Sequence, residues 1–284
     1  FAVALPLASR WYPPEHQGTA MGIAGAGNSG TVFAALFAPV LATAFGFQNV
    51  FGLAAIPLLV VLAVFAACAK DAPVPVARKS LGDYGRVLLG NRDSWWFMFF
   101  YAITFGGFAG FASALPGYFH DQFGFAPKIA GWATAACVLA GSLMRPLGGV
   151  IADRIGGTRS LQMVYVAVTV LVSTAALGIG GAQATVALFV LTLLCLGAGN
   201  GAVFQLVPQR FGAEIGLMTG LIGMAGGVGG FLLAAGLGVV KQHAGSYAPG
   251  LWAFAAIALA ASLCLVGVKQ RWRLHWAAAG AARV

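Results

Sequence analysis

The eight long apolar stretches of this sequence contain a single charged side chain, the guanidinium of Arg145. An arginine at the centre of a membrane helix costs about 2.5–3.5 kcal/mol on insertion scales, and such residues usually face a bundle interior or a water-filled path. The alternative is that the Arg145 side chain snorkels to the lipid headgroups. However, Arg145 precedes Asp153, at the predicted membrane edge, by eight residues. This corresponds to about 12 Å of helix, which is further than the side chain comfortably spans. The position therefore indicates a binding site for a negatively charged ligand.

Membrane-spanning helices are predicted to position Arg145. Of the 284 residues, 60% are hydrophobic and only 8% are charged, which is typical of an integral membrane protein. The apolar runs are too long for barrel strands and do not alternate strictly, so helices are the structure that satisfies their backbone groups in lipid. Eight runs have the length of a complete span: 18–44, 50–68, 95–118, 129–152, 161–181, 184–208, 215–240 and 249–268.

The net charge of +9 follows membrane topology and does not indicate nucleic-acid binding. One face of the predicted bundle carries only Lys128 and Lys241. By the positive-inside rule the opposite face and the C-terminus are cytoplasmic. We expect a multi-pass protein of the inner (plasma) membrane and a monomer in its lipid bilayer. Thirteen of the sixteen basic residues share the cytoplasmic face: Arg10, Lys70, Arg78, Lys79, Arg86, Arg92, Arg154, Arg159, Arg210, Lys269, Arg271, Arg273 and Arg283.

A polar stretch divides the predicted helices into two bundles. Between Ala69 and Asp93 it holds two prolines, five basic residues and three aspartates, a composition typical of a solvated connection. The sequence therefore predicts four parts: the remainder of an N-terminal bundle at 1–69, a cytoplasmic inter-bundle loop at 70–93, a six-helix C-terminal bundle at 94–268 and a basic cytoplasmic tail at 269–284.

The two bundles share a repeated pattern. Arg10-Trp11 is followed by Glu15, Gly18 and Gly22, and Arg210-Phe211 by Glu214, Gly216 and Gly220. Internal symmetry of this kind is typical of transporter folds built from two related halves, with the substrate between them. The interval from Trp95 to Arg210 accommodates four helices, whereas nine residues precede Arg10. We expect three further helices and most of a fourth ahead of residue 1, which would make six plus six.

The segment 149–159, GVIADRIGGTR in one-letter code, resembles a short cytoplasmic turn of the major facilitator superfamily, Gly-x3-Asp-Arg-x-Gly-x-x-Arg/Lys. The resemblance implies an all-α polytopic fold of that superfamily with an incomplete N-terminal half. Asp153 can lie near a neighbouring helix N-terminus, where negative charge is favoured, and the glycines permit a tight turn. We assign a gating role to the residues of this turn: Gly149, Asp153, Arg154, Gly157 and Arg159.

Two glycine-rich segments lie inside predicted spans. The first, AGAGNSG at 24–30, satisfies Gly-x-Gly-x-x-Gly, but no strand precedes it, and Gln48 and Asn49 stand where a dinucleotide site needs an acid. Glycines at this spacing also let helices or ligands approach closely. This segment and the second one, GMAGGVGGF at 223–231, resemble the two nitrate signatures of the nitrate/nitrite porter family within the major facilitator superfamily. Residues 197–208 are also similar to that family's segment leading into its penultimate helix.

The resemblance implies a substrate site around Arg145, which corresponds to the family's substrate-binding arginine of the eighth helix. Asn28 corresponds to the asparagine that hydrogen-bonds the anion, and Gly25 and Gly27 allow close approach. A guanidinium fork and neutral amide donors suit a planar monovalent oxyanion such as nitrate. The family's second arginine belongs to a helix that this sequence does not contain.

Aromatic and glycine residues complete the implied site. Tyr101 and Phe105, one turn apart on the seventh helix, correspond to the aromatic pair that walls it, and Gly226 or Gly227 approaches from the eleventh helix. For Asn200 and Gln205 we expect interhelical hydrogen bonds in preference to ligand contact.

The resemblance implies nitrate and/or nitrite transport by alternating access, with no cofactor and no metal site. The acids (Glu15, Asp71, Asp83, Asp93, Asp121, Asp153, Glu214) lie outside the predicted hydrocarbon, and the histidines (His16, His120, His243, His275) lie in loops or the tail. A proton-coupled carrier usually keeps a titratable group along its path. Nitrate/nitrite antiport is therefore favoured over nitrate–proton symport. The isolated Cys68, Cys137, Cys195 and Cys264 are interpreted as small buried hydrophobic residues.

Three other interpretations stay open. Another small-anion carrier of the superfamily, for cyanate or a small carboxylate, needs the cation but not both glycine signatures. A non-transporting sensor or an inert fragment would keep the helices without the activity. A membrane enzyme is disfavoured, because the predicted helices hold no constellation of nucleophile, base and metal ligands.

Overall fold

The computed structural model describes residues 17–70, 90–211 and 214–277, together with Leu7, Trp11, Tyr12, Gly82 and Gly85. Within these ranges the chain is helical and forms no strand, so the predicted all-α class is confirmed. Arg10, Glu15, most of the loop 70–93 and the end of the tail lie outside them. The described part contains nine α-helices: α1 (Gln17–Gly25), α2 (Gly30–Phe45), α3 (Phe47–Cys68), α4 (Arg92–Phe123), α5 (Pro127–Ile155), α6 (Gly157–Ala176), α7 (Gly181–Phe211), α8 (Ile215–Ala244) and α9 (Ala248–Ala277).

Eight helical stretches of the described chain are long and apolar enough to cross a membrane, as predicted. Several helices extend past their apolar runs by a turn or more, since the polar residues that flank these runs are also helical. The first span differs from the prediction of one continuous helix at 18–44. A 3-10 turn at Ala26–Ser29 separates α1 from α2 inside the first glycine signature. Glycine is a poor helix former, and this segment concentrates three glycines in six residues.

The helix that carries Arg145 occupies the centre of the packing. Helix α5 packs most extensively against α7, and α1, α2, α4 and α6 contact it as well. Helix α4 packs chiefly on α8, and α6 lies between α7 and α9. Helix α3 packs on α2 and has no buried residue. A side chain on α5 can therefore reach elements from both predicted halves.

Close approach between α5 and α7 fixes the position of Arg145 relative to α7. A Cβ atom added at Gly197 would lie 2.7 Å from the carbonyl carbon of Gly141, and one at Gly201 would lie 2.5 Å from the backbone nitrogen of Gly149. Small residues at such crossings let two helix backbones come together in a membrane. The same contact brings Phe204, three residues beyond Gly201, to the level of Arg145.

One end of the bundle, which we call the basic end, is tied together through Asp93. This carboxylate is 4% exposed at the start of α4. Its Oδ2 accepts a 2.7 Å bond from Arg210 Nε of α7, and its Oδ1 accepts bonds of 3.0 Å from Arg271 Nη2 and 2.9 Å from Trp272 Nε1 of α9. From the sequence, Asp93 was predicted only to be an acid of the inter-bundle loop. The structure shows a junction of three helices.

We expect Asp93→Asn to lower the stability of the bundle. The amide cannot neutralise two guanidinium groups, and bonds to charged groups contribute about 1.5–3 kcal/mol each. Because Arg210 and Arg271 remain 34% and 43% exposed, water compensates part of the loss. The free energy of unfolding should fall by about 1–3 kcal/mol, measured as an earlier thermal transition in detergent. Asp121→Asn, at an exposed position where the amide oxygen still accepts a bond, is the matched control. Equal transitions for both variants would contradict the prediction.

The opposite end of the bundle carries a smaller contact between α4 and the turn before α9. Tyr247 Oη donates a 2.8 Å hydrogen bond to Asp121 Oδ2. Burial and the adjacent Asp121 carboxylate raise the pKa of Tyr247 to about 12. The phenol therefore stays protonated and keeps donating across the physiological pH range.

Candidate anion-binding site

Arg145 points into the protein. Its residue is 2% exposed, and its Nη2 donates a 2.7 Å hydrogen bond to the hydroxyl of Tyr101 on α4. A snorkelling arginine would place its guanidinium at the headgroup level. The burial and the interhelical hydrogen bond instead hold the cation between helices.

Aromatic rings frame the guanidinium. Arg145 Cζ lies 5.7 Å from the ring centroid of Phe105 and 5.7 Å from that of Phe204. The rings of Tyr101 and Phe105 are parallel, with centroids 5.2 Å apart, and the Phe204 ring meets Tyr101 edge-on at 4.9 Å. Such contacts within about 6 Å stabilise a cation electrostatically. The predicted aromatic pair therefore borders Arg145 directly.

Phe204 is a site residue that the sequence reasoning did not single out. It lies on α7 within the segment GNGAVFQ and is fully buried. Its spacing from Gly201 would have placed it on the face that meets α5, provided that the close crossing of α5 and α7 had been known. Without that crossing, a phenylalanine in an apolar helix is indistinguishable from a core residue.

Gly25 of α1, in the predicted N-terminal half, lies against Arg145. A Cβ atom at Gly25 would overlap Arg145 Nε and would lie 2.6 Å from its Cζ and 3.0 Å from its Nη2. Glycine is required here because any side chain would occupy the space of the guanidinium. The site thus lies where α1 meets α4, α5 and α7.

Gly226 of α8 leaves space for the Tyr101 and Phe105 rings, as Gly25 does for the Arg145 guanidinium. A Cβ atom there would lie 2.8 Å from Phe105 Cδ1 and 2.8 Å from both Tyr101 Cδ1 and Cε1. The second glycine signature therefore reaches the site through Gly226, which leaves room for the two rings. Of the two predicted glycines, Gly226 is the one that packs against the rings.

Two predicted glycines lie apart from this cluster. A Cβ atom added at Gly27 or at Gly227 would meet no described atom within 4 Å, and both residues are exposed. Asn28 lies in the 3-10 turn directly after α1, and its side chain is outside the described part of the structure. The sequence alone did not distinguish Gly27 from Gly25, or Gly227 from Gly226.

Asn200 and Gln205 are both buried on α7, with 1% and 6% exposure. Asn200 Oδ1 and Gln205 Oε1 accept no hydrogen bond from the residues that the structure describes. The interhelical bonds expected for these amides therefore stay a prediction.

The turn between α5 and α6 has the predicted tight geometry. Gly156 adopts φ +97°, a conformation that favours glycine, and a Cβ atom at Gly157 would lie 2.5 Å from Gln205 Oε1. Arg154 and Arg159 are exposed, whereas Asp153 is half-buried. Gly149 contributes to the α5–α7 crossing described above. The turn thus follows directly after the helix that carries Arg145, at the basic end.

The arrangement combines one permanent cation, one phenol hydroxyl and several ring faces in a compact, largely apolar surrounding. A guanidinium presents planar, forked donors that match the oxygens of a planar anion. The low polarity of the walls strengthens the attraction to a single negative charge. The chemistry fits a small monovalent oxyanion.

The sequence profile of the Major Facilitator Superfamily matches residues 1–234. The chain is also 33% identical to the nitrite extrusion protein of Bacillus subtilis strain 168 over 97% of this chain and 70% of that protein. It is 34% identical to the probable nitrate/nitrite transporter NarK2 of Mycobacterium tuberculosis H37Rv over 92% of this chain and 67% of that protein. The chain therefore belongs to the nitrate/nitrite porters of the major facilitator superfamily, and it is a multi-pass membrane transporter.

A solved structure supports the fold. The crystal structure of the fucose:proton symporter FucP of E. coli superposes with a TM-score of 0.67, covering 93% of this chain and 72% of that one at 14% identity. At this identity the similarity concerns the helix arrangement alone.

Proposed function

We propose that this chain moves nitrate and/or nitrite across the membrane by alternating access, as a nitrate/nitrite antiporter. The observation that carries the proposal is the buried Arg145, bonded to Tyr101 and framed by Phe105 and Phe204. The relatives named for nitrate and nitrite transport support the choice of anion. An anion at this position offsets the cost of keeping a guanidinium out of water.

Alternating access is supported by the contact of both predicted halves with Arg145. The sequence assigns Gly25 to the predicted N-terminal half and the other residues of the cluster to the predicted C-terminal half. When the anion binds, it neutralises the charge of the Arg145 guanidinium. Both predicted halves can then close around the neutral pair at a lower electrostatic cost. Asn28, in the turn after Gly25, would then add its amide donors to the anion.

The 149–159 turn is proposed to act as the gate at the basic end, which would face the cytoplasm as a consequence of the positive-inside rule. Asp153, Arg154 and Arg159 would exchange contacts between the open and closed arrangements, with Gly149 and Gly157 permitting the close packing. In this orientation the C-terminus is cytoplasmic, and one polypeptide suffices as the transport unit.

Exchange is favoured over proton symport by the position of the described carboxylates. Asp93, Asp121 and Asp153 lie in the first or last turns of their helices, and Glu214 directly precedes α8. Within the described ranges no carboxylate lies in the middle of a span. A nitrate-for-nitrite exchange transfers no net charge and needs no protonatable group.

The test is uptake of labelled nitrate into proteoliposomes that contain the purified protein. We expect nitrite inside the vesicles to accelerate uptake at least tenfold over buffer-loaded vesicles, and an inward proton gradient alone to have no effect. Acceleration by the proton gradient without internal nitrite would replace antiport by symport. Stronger competition by cyanate or formate than by nitrite would identify a different small-anion carrier, and absence of any uptake would contradict transport by the chain.

A further inference from the structure

Three cations gather at the basic end, where α6 begins and α9 ends. They are Arg159 in the first turn of α6 and Lys269 and Arg273 near the end of α9. Lys269 lies two turns and Arg273 three turns beyond Ser262 of α9, whose Oγ accepts a hydrogen bond from Gln162 of α6, and Arg159 lies one turn before Gln162. We call these three residues the basic rim.

The basic rim differs from the neighbouring arginines in its ion pairing among the residues that the structure describes. Arg210 and Arg271 both bind Asp93. Within the described part of the chain, Arg159, Lys269 and Arg273 form no ion pair. Like charges held together in this way repel one another, and an anion placed among them relieves that repulsion.

The helices beneath the basic rim face outward with apolar side chains. On α6 the residues that follow Arg159 at helical spacing are Met163, Val166 and Val170, with exposures of 62%, 47% and 59%. On α9 the residues that precede Arg273 at a spacing of seven are Val266 and Leu259, exposed by 50% and 46%. Each outward apolar strip therefore ends in a cation at the same end of the bundle.

The two strips flank a direct contact between α6 and α9. Gln162 Nε2 donates a hydrogen bond to Ser262 Oγ, and this contact lies one turn from Arg159 along α6. The bond holds α6 against α9, so the two strips lie on neighbouring helices. A molecule with two acyl chains and one anionic headgroup matches this pattern of apolar strips on neighbouring helices below a cluster of cations.

We infer that the α6–α9 crossing binds an anionic phospholipid, with its phosphate at Arg159, Lys269 and Arg273 and its acyl chains along the outward strips. A soluble anion would use the cations but would gain nothing from the strips. A lipid uses both. The inference is independent of the transported substrate, because none of these residues contacts the Arg145 site.

Native mass spectrometry of the full chain in mild detergent tests this inference with added phosphatidylglycerol and phosphatidylcholine. We expect selective retention of phosphatidylglycerol, and a loss of roughly tenfold to a hundredfold in its affinity in the variant Arg159→Gln, Lys269→Gln, Arg273→Gln, since each cation near an anionic lipid contributes about fivefold. The matched control is Lys128→Gln with Lys241→Gln, which removes charge at the opposite end and should retain the lipid.

A second variant separates charge from folding. Arg159→Lys with Arg273→Lys keeps the positive charges and should retain phosphatidylglycerol within about threefold of the unmodified protein. Equal retention by the glutamine variant, or equal loss in the opposite-end control, would overturn the inference. Displacement of the lipid by millimolar inorganic phosphate would also overturn it, because a headgroup-only contact does not need the apolar strips.

Discussion

Replacing Arg145 with lysine should abolish most nitrate uptake while leaving the protein folded. Lysine keeps the charge but replaces the planar fork by a compact ammonium, so the bond to Tyr101 and the forked contact with the anion are lost. The loss of one charge-assisted hydrogen bond costs about 1.5–3 kcal/mol, which corresponds to roughly a tenfold to hundredfold fall in uptake at low nitrate. Initial rates of labelled nitrate uptake in proteoliposomes measure the effect.

Arg92→Lys provides the matched control for this substitution. Arg92 is exposed at the first residue of α4, so the same chemical change there should leave uptake within twofold. Equal amounts of both variants must elute as single species in detergent. Uptake by Arg145→Lys at the level of the unmodified protein would contradict the role assigned to the guanidinium.

Gly25→Ala should raise the nitrate concentration needed for half-maximal uptake with little loss of stability. The added methyl group would occupy the space of Arg145 Nε and Cζ. Because the obstructed atoms are the end of a flexible side chain, the guanidinium is displaced and α1 itself need not move. Displacing the guanidinium weakens its hydrogen bonds to the anion, and one bond to a charged group contributes about 1.5–3 kcal/mol, or roughly a tenfold to hundredfold fall in affinity.

The same signature offers a control two residues away. Gly27→Ala makes the identical change in chemistry and in backbone freedom, but the new methyl group meets no described atom within 4 Å. We therefore expect near-normal uptake. Gly226→Ala and Gly227→Ala repeat the comparison on α8, with the obstruction at the Tyr101 and Phe105 rings for Gly226 alone. Similar effects within either pair would show that helix flexibility, and not the space around Arg145, governs transport.

Most of the fold follows from local sequence properties. Hydropathy and length predicted the spans because a bilayer imposes one requirement on every crossing segment. Arg145 stood out for the same reason, since a charge inside such a segment is conspicuous without any knowledge of its neighbours. The Gly156 turn was also predictable, because it depends on residues adjacent in the chain.

The tertiary structure decided which residues share a site. The choice of Gly25 over Gly27, or of Gly226 over Gly227, depends on how α1 and α8 are rotated against their neighbours. Phe204 becomes a wall of the site only because Gly197 and Gly201 let α7 approach α5. Asp93 likewise becomes a three-helix junction through Arg210 and Arg271, which are more than one hundred residues away in the chain.

The sequence by itself determined a membrane transporter of the nitrate/nitrite porter family with a single charged residue, Arg145, inside its predicted spans. The partners of that cation were decided only by packing. Hydropathy and charge act on each helix separately, so they can be read from the chain. Contacts depend on crossing angle and rotation, which are set by all the neighbouring helices together.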